Sequence, residues 1–188
     1  MNDPLVILGI AGSLRNESYN RALLRAAQEL TPEGARIDTF ELAGLPMFNQ
    51  DEEANPHPKV AELKQRIRAA DAILFVTPEY NYSIPGVLKN AIDCASRPYG
   101  DSAWDGKPVA VMGASIGSIG TARAQYHLRQ TFVFLNMYPV NQPEVMVSSA
   151  QKRFDQEGKL TDETTKKLVQ QLLSGLVSWT KRLANNAG

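Results

Sequence analysis

Short apolar runs recur along the chain, each followed by a glycine-rich or proline-rich loop and then by a stretch with helical spacing. The runs are Leu5–Ala11, Ile37–Leu42, Ile73–Thr77, Val109–Ala114 and Val145–Val147. Between them Leu23, Leu24, Ala27 and Leu30 share one helical face, and Val60, Leu63, Ile67 and Ala70 share another. Asn55 and Pro56 read as cap and first turn of the second helix, since proline is tolerated where its missing N–H has no partner to lose. Thr161, Asp162 and Glu163 open a final helix carrying Leu168, Leu172, Leu176 and Leu183. Runs without polar alternation must be buried on both faces, so five strands alternating with five helices predict an α/β fold, a doubly wound three-layer sandwich. Right-handed crossovers then favour a five-stranded parallel sheet of order 2-1-3-4-5. In that order the carboxyl ends of strands 1, 3 and 4 lie side by side, and ligands of such sheets bind in the crevice there.

The 188 residues suffice for one domain, expected to span 1–188. Lys plus Arg and Asp plus Glu each number 20, so the chain lacks the basic excess that nucleic acid or an anionic membrane surface requires. A lone Cys94 cannot form an internal disulfide, and with two His it falls short of an ordinary zinc set, so no metal is expected. Apolar stretches of about five residues are far below the roughly 20 that span a bilayer. Leu5–Ala11 follows Asp3, with no Lys or Arg before it, and Gly9 interrupts it, so it reads as a buried strand of a cytoplasmic protein rather than a signal peptide.

Three loops carry the chemistry. The first, Gly12 to Asn20, combines a turn glycine, the hydroxyls of Ser13 and Ser18, the Arg15 guanidinium and the amino end of a helix. Together these make a phosphate site, because free N–H groups and the helix dipole favour an anion and Arg15 offers bidentate contacts. The spacing matches neither G-x-G-x-x-G nor G-x-x-x-x-G-K-[ST], which leaves a mononucleotide. In the second loop, Pro78, Glu79, Tyr80, Asn81 and Tyr82 offer a stiffened, flat surface with amide groups, suited to a planar heteroaromatic ring. In the third, Gly113, Gly117 and Gly120 around Ser115 let the backbone approach a ligand closely.

These residues resemble the NAD(P)H-dependent FMN reductase family of flavodoxin-like fold, in its bacterial chromate and quinone reductase branch. The motif G-S-x-R-x-x-S-x-N appears as Gly12, Ser13, Arg15, Ser18 and Asn20, and P-E-Y-N-x-S-x-P-G-x-L-K-N-x-x-D runs from Pro78 to Asp93. The resemblance implies FMN phosphate at Ser13, Arg15, Ser18 and Asn20, and isoalloxazine contacts at Pro78, Glu79, Tyr80, Asn81, Ser115 and Gly117. It also implies NADPH or NADH as donor, NADPH being favoured, and dimers that in some members pair into tetramers. The expected activity is ping-pong: two electrons pass from NAD(P)H through bound FMN to quinones, flavins, azo compounds or oxyanions such as chromate. No side chain acts as the catalytic group, since the flavin carries the hydride.

Gly113-Ala114-Ser115-Ile116-Gly117 also satisfies the G-x-S-x-G pattern of serine hydrolases, but the only downstream His, His127, falls within the helix that the elbow would begin. An electron-carrier flavodoxin shares the fold, yet zero net charge disfavours it, and a non-catalytic FMN sensor is separated by assay. Cys94 reads as a small buried hydrophobe and His57 as solvated. Leu88, Ile92, Tyr99 and Trp104 are expected to form an apolar rim near the cofactor mouth, covered by a second subunit in a homodimer. Arg123 and Glu144 are candidates for a second, more polar interface.

Overall fold

The computed structural model describes residues 3–186. The strands are β1 (Leu5–Ala11), β2 (Ala35–Phe40), β3 (Ala72–Val76), β4 (Pro108–Ala114), β5 (Tyr138–Pro139) and β6 (Val145–Val147). The helices are α1 (Tyr19–Glu29), α2 (Pro58–Ala69), α3 (Gly86–Ala95), α4 (Ala122–Phe134) and α5 (Glu163–Asn186). All pairings are parallel, in the order β2-β1-β3-β4-β5, with β6 pairing β4 beyond β5.

Every residue of β3 and β4 is buried, as unalternated apolar runs require. Period-2 geometry sends their side chains to opposite faces. Leu74, Val76, Ala110 and Met112 pack with Leu23 and Ala27 of α1 and Leu172 and Leu176 of α5. Ile73, Phe75, Val109 and Val111 pack with Leu63 and Ile67 of α2, Leu88 and Ile92 of α3, and Leu128 and Phe132 of α4. Gly9 serves the first core: a Cβ there would collide with Leu24 Cδ1, so its absence lets α1 settle against β1.

The structure corrects several sequence expectations. The second helix begins at Pro58 with His57 as its cap, not at Asn55–Pro56; His57 Nδ1 accepts from Lys59 N at 3.2 Å. The cause is steric: a residue preceding proline is kept out of the helical region, and His57 accordingly holds ψ 140, so no helix can run through it. β2 lies two residues earlier than expected, and Leu42 enters the core from the loop beyond it. The fifth strand is split into β5 and β6, because Asn141–Glu144 leave the ladder around Pro143, which has no N–H to donate. The apolar rim does not exist as drawn: Trp104 is 0% exposed, its Nε1 donates to Ile92 O at 3.0 Å, and Leu88 and Ile92 are buried with it. Only Tyr99 of that set faces solvent. The opening of the last helix is as expected, with Asp162 Oδ2 accepting from Thr165 N at 2.8 Å.

Candidate functional site

Register aligns the strand ends that carry the loops. Ala11 pairs with Val76 and Val76 with Met112, so the chain leaves β1, β3 and β4 along one edge of the sheet. Gly12 N donates to Val76 O and Thr77 N to Met112 O, each at 2.9 Å, carrying the alignment one residue further. Gly113 is required here: a Cβ on it would strike Thr77 O and Thr121 Oγ1, so a side chain would push the second loop away from the third.

In the first loop, Ser18 is the α1 cap and its Oγ accepts from Asn20 N at 3.2 Å; Ser13 Oγ accepts from Arg15 N at 3.3 Å. Both hydroxyls thus spend an acceptor site on the backbone and keep the proton to donate. Among the described residues, the N–H groups of Ser13, Leu14, Asn16 and Glu17 find no partner within the chain. Arg15 is exposed. Free N–H groups, two hydroxyl donors, a guanidinium and a helix N-terminus form a donor set for an anion. A polar cavity of about 440 Å³ lined by Arg15, Ser18 and Tyr19 with Asp155 and Glu157 opens beside it.

Asn20 departs from its expected place in that set. It is buried, its Nδ2 donates to Ala114 O at 2.9 Å, and its Oδ1 accepts from Ala114 N at 2.8 Å. Its amide therefore extends β4 like an added peptide unit and ties the first loop to the start of the third loop.

The second loop is a tight reversal. Tyr80 and Ser83 exchange two N–H···O bonds of 3.0 Å, with Asn81 (φ 51) and Tyr82 (φ 67) both left-handed between them. Two consecutive positive φ values define a type I′ turn, which an asparagine tolerates and a tyrosine resists. The turn leaves Tyr80, Asn81 and Tyr82 exposed above buried Pro78. Glu79, expected at the ring, turns its carboxylate to α4, so that only its backbone faces the loop: Oε2 accepts from Arg123 N (3.0 Å) and Ala124 N (3.2 Å), and Oε1 from Arg123 Nε (2.6 Å). This contact raises the Arg123 pKa above its ordinary value.

In the third loop, Ser115 N donates to Val147 O at 2.9 Å, Ala150 N to Ser115 O at 3.0 Å, and Ser149 N to Gly117 O at 3.1 Å. These bonds hold Ser115 and Gly117 against the end of β6 and the segment that follows it, while Ile116 and Ile119, like Tyr80 and Tyr82 of the second loop, are exposed. Ser115 Oγ accepts from Gly117 N at 3.1 Å, while His127 Nδ1 lies 3.0 Å from Ser83 Oγ. Ser115 also lacks the positive φ of a strained nucleophile turn, so this pair does not assemble a hydrolase.

Other singled-out residues lie elsewhere. Cys94 is buried, and burial first, then Asp93, pushes its thiol pKa up, the reverse of an activated cysteine. It lines a cavity of about 280 Å³ with Pro46, Phe48 and Val60 and with the charged Glu53, Lys64 and Arg97, apart from the three loops. Glu144 accepts from Tyr126 Oη at 2.9 Å within the chain. The roles of Asn20 and Glu79 had no local sequence signal, since their partners stand 94 and 44 residues away.

The model of a family described as NADPH-dependent FMN reductase matches residues 5–152. An NAD(P)H-dependent FMN reductase of Pseudomonas aeruginosa is 54% identical over 184 residues, 97% of this chain and 99% of that protein. A quinone reductase of Pseudomonas putida is 46% identical over 173 residues, 92% of each chain. Among solved structures, the flavoenzyme NAD(P)H:(acceptor) oxidoreductase FerB of Paracoccus denitrificans superposes with TM-score 0.87 at 37% identity, covering 95% of this chain and 98% of that one.

Proposed function

Because the chain belongs to the NADPH-dependent FMN reductase family of oxidoreductases, we propose that it binds FMN across the three loops and passes two electrons from NAD(P)H to a small acceptor. The observation that carries this reading is the convergence on one sheet edge of an anion-binding helix start and an exposed aromatic turn. The residues fit the cofactor. The free N–H groups, Ser13, Arg15 and Ser18 suit a phosphate, while Pro78, Tyr80, Asn81 and Tyr82 suit a flat ring with polar edges. When bound, FMN supplies two-electron chemistry at its ring.

The chain's own part is to bind and orient. Loop 1 fixes the phosphate end, which places the ring without using any group that must change charge. The turn at Tyr80–Ser83 presents peptide and amide groups, whose dipoles stabilise charge gained on reduction. Ser115 and Gly117 approach with backbone, leaving one side open for a nicotinamide and then an acceptor. Quinones are the favoured acceptor class; flavins, azo compounds and chromate fit the same open side. NADPH is the favoured donor.

We infer a homodimer in the cytoplasm. The exposed Tyr80, Tyr82, Ile116 and Ile119 around the crevice support a covering subunit. Among the described residues no helix is long and apolar enough to cross a membrane.

The visible spectrum of the purified protein, followed by anaerobic bleaching with NADPH, tests the function. Flavin absorbance that NADPH bleaches, with parallel double-reciprocal lines against a quinone, is expected. Flavin that NADPH leaves oxidised would make the chain an electron carrier or a sensor.

A further inference from the structure

The Glu79 carboxylate has no capacity left for a ligand. Each carboxylate oxygen takes two donors: Oε2 the N–H groups of Arg123 and Ala124, Oε1 the Nε and Nη2 of Arg123, at 2.6 and 2.5 Å. The side chain is 6% exposed. Helix α4 needs this carboxylate, because its own cap residue, Thr121, makes no side-chain capping bond, and a negative group at the first turn satisfies two orphan N–H donors and the dipole.

The same guanidinium that Glu79 fixes lies 3.6 Å from the centroid of the Tyr82 ring. Tyr82 is the residue with most reason to leave its conformation, since an aromatic side chain at φ 67 is strained. Covering its ring with a cation held in place offsets that strain. Carboxylate, guanidinium and ring thus form one stack from α4 to the tip of the second loop.

We infer that Glu79 and Arg123 are a positioning couple that holds the Tyr80–Ser83 turn left-handed and thereby sets the contact between this loop and the flavin ring. The inference rests on the reading of the three loops as a flavin site, and neither residue is catalytic. Its consequence is specific: uncoupling acts on the ring end and is blind to the phosphate end. Loss of Glu79 therefore weakens FMN and riboflavin by the same factor, whereas loss of a phosphate contact weakens FMN alone.

The test uses the full chain with Glu79→Gln, Arg123→Lys and both changes together. Arg123→Lys keeps the charge but gives up the planar fork and the stack, and its partly exposed site makes it the variant that folds if Glu79→Gln does not. Four readings are taken: the melting temperature and hydrogen exchange of the flavin-free chain, fluorescence titration with FMN and with riboflavin, and the midpoint potential of bound flavin. The expected result is faster exchange at Arg123, Ala124, Tyr80 and Ser83, and roughly tenfold weaker binding of both flavins with their affinity ratio unchanged. The potential shifts, and the double variant is no worse than the weaker single one. A lowered melting temperature with unaltered flavin affinities and potential would reduce the couple to a structural cap and overturn the inference. A wild-type chain that binds neither flavin would overturn the site reading as well, whereas tight wild-type binding matched by all variants would overturn only the couple.

Discussion

Asn20→Ala separates two accounts of the first loop. The asparagine amide makes two buried bonds to Ala114, at 2.9 and 2.8 Å, and alanine leaves that residue's N–H and C=O without partners at a site 2% exposed. An unsatisfied buried group costs about 1–3 kcal/mol, so the pair costs about 2–6 kcal/mol. For a chain of this length each kcal/mol moves the midpoint by roughly 2–4 °C, so a central cost of about 4 kcal/mol lowers the melting temperature by roughly 8–16 °C. Asn20→Asp fares no better at neutral pH: a carboxylate accepts from Ala114 N but faces Ala114 O with no proton to offer. The assay is thermal unfolding of the flavin-free protein followed by titration with FMN and riboflavin. A large loss of stability is expected, with FMN affinity falling because α1 and its preceding loop are released. If Asn20→Ala melts like the wild type and loses affinity for FMN alone, Asn20 is a phosphate ligand, as its motif position suggests, and the structural argument is wrong.

Arg15→Ala removes a charged donor from an exposed loop, and at about 1.5–3 kcal/mol it weakens FMN roughly 10-fold to 150-fold while riboflavin binding and melting temperature stay put; equal losses for both flavins would exclude the phosphate role. At Asn81, where φ is 51, alanine strains the turn by roughly 1 kcal/mol and glycine does not, so Asn81→Gly should retain the fold of the turn. Both variants lose the amide, so both should slow anaerobic reduction by NADPH, and an unchanged rate would remove Asn81 from the ring site. Asp162 has its pKa lowered by the Thr165 hydroxyl, then the Thr165 N–H, with Arg153 adding to the effect. A depressed carboxylate stabilises the fold above its unfolded pKa, about 4, and loses that contribution as pH falls through the lower folded value. Asp162→Asn should therefore be less stable than wild type at pH 7, with the gap closing below about pH 4 in denaturant titrations.

What was legible in the sequence is what local pattern encodes. β1 and β6 match their apolar runs residue for residue, and the three loops follow β1, β3 and β4 as the alternation requires. Helix α2 began late because two prolines compete for its first turn, and the rule that decides between them acts on the residue before proline. Trp104 was misplaced because nothing nearby in sequence reveals that its indole meets Ile92, twelve residues back and across a turn. Asn20 and Glu79 sit in motifs that name them as site residues, yet their atoms serve the backbone of Ala114, Arg123 and Ala124. Motif membership marked the loops but did not reveal that these two side chains turn inward to hold them.

The divided fifth strand bears on solubility. An unpaired sheet edge is a template on which another chain can add a strand, and long flat edges seed aggregation. Here the outer border beside β4 is a two-residue piece ending in Pro139 and a three-residue piece separated from it by Pro143, so no continuous row of N–H groups is offered. Arg129 donates to Val140 O at 3.0 Å and Gln125 to Val145 O at 2.9 Å, fastening the break to α4. On the opposite border, β2 carries Arg36 and Asp38, whose charges make an incoming strand costly to dock. Both borders are thus blunted, one by interruption and one by charge, which disfavours edge-to-edge strand pairing between copies.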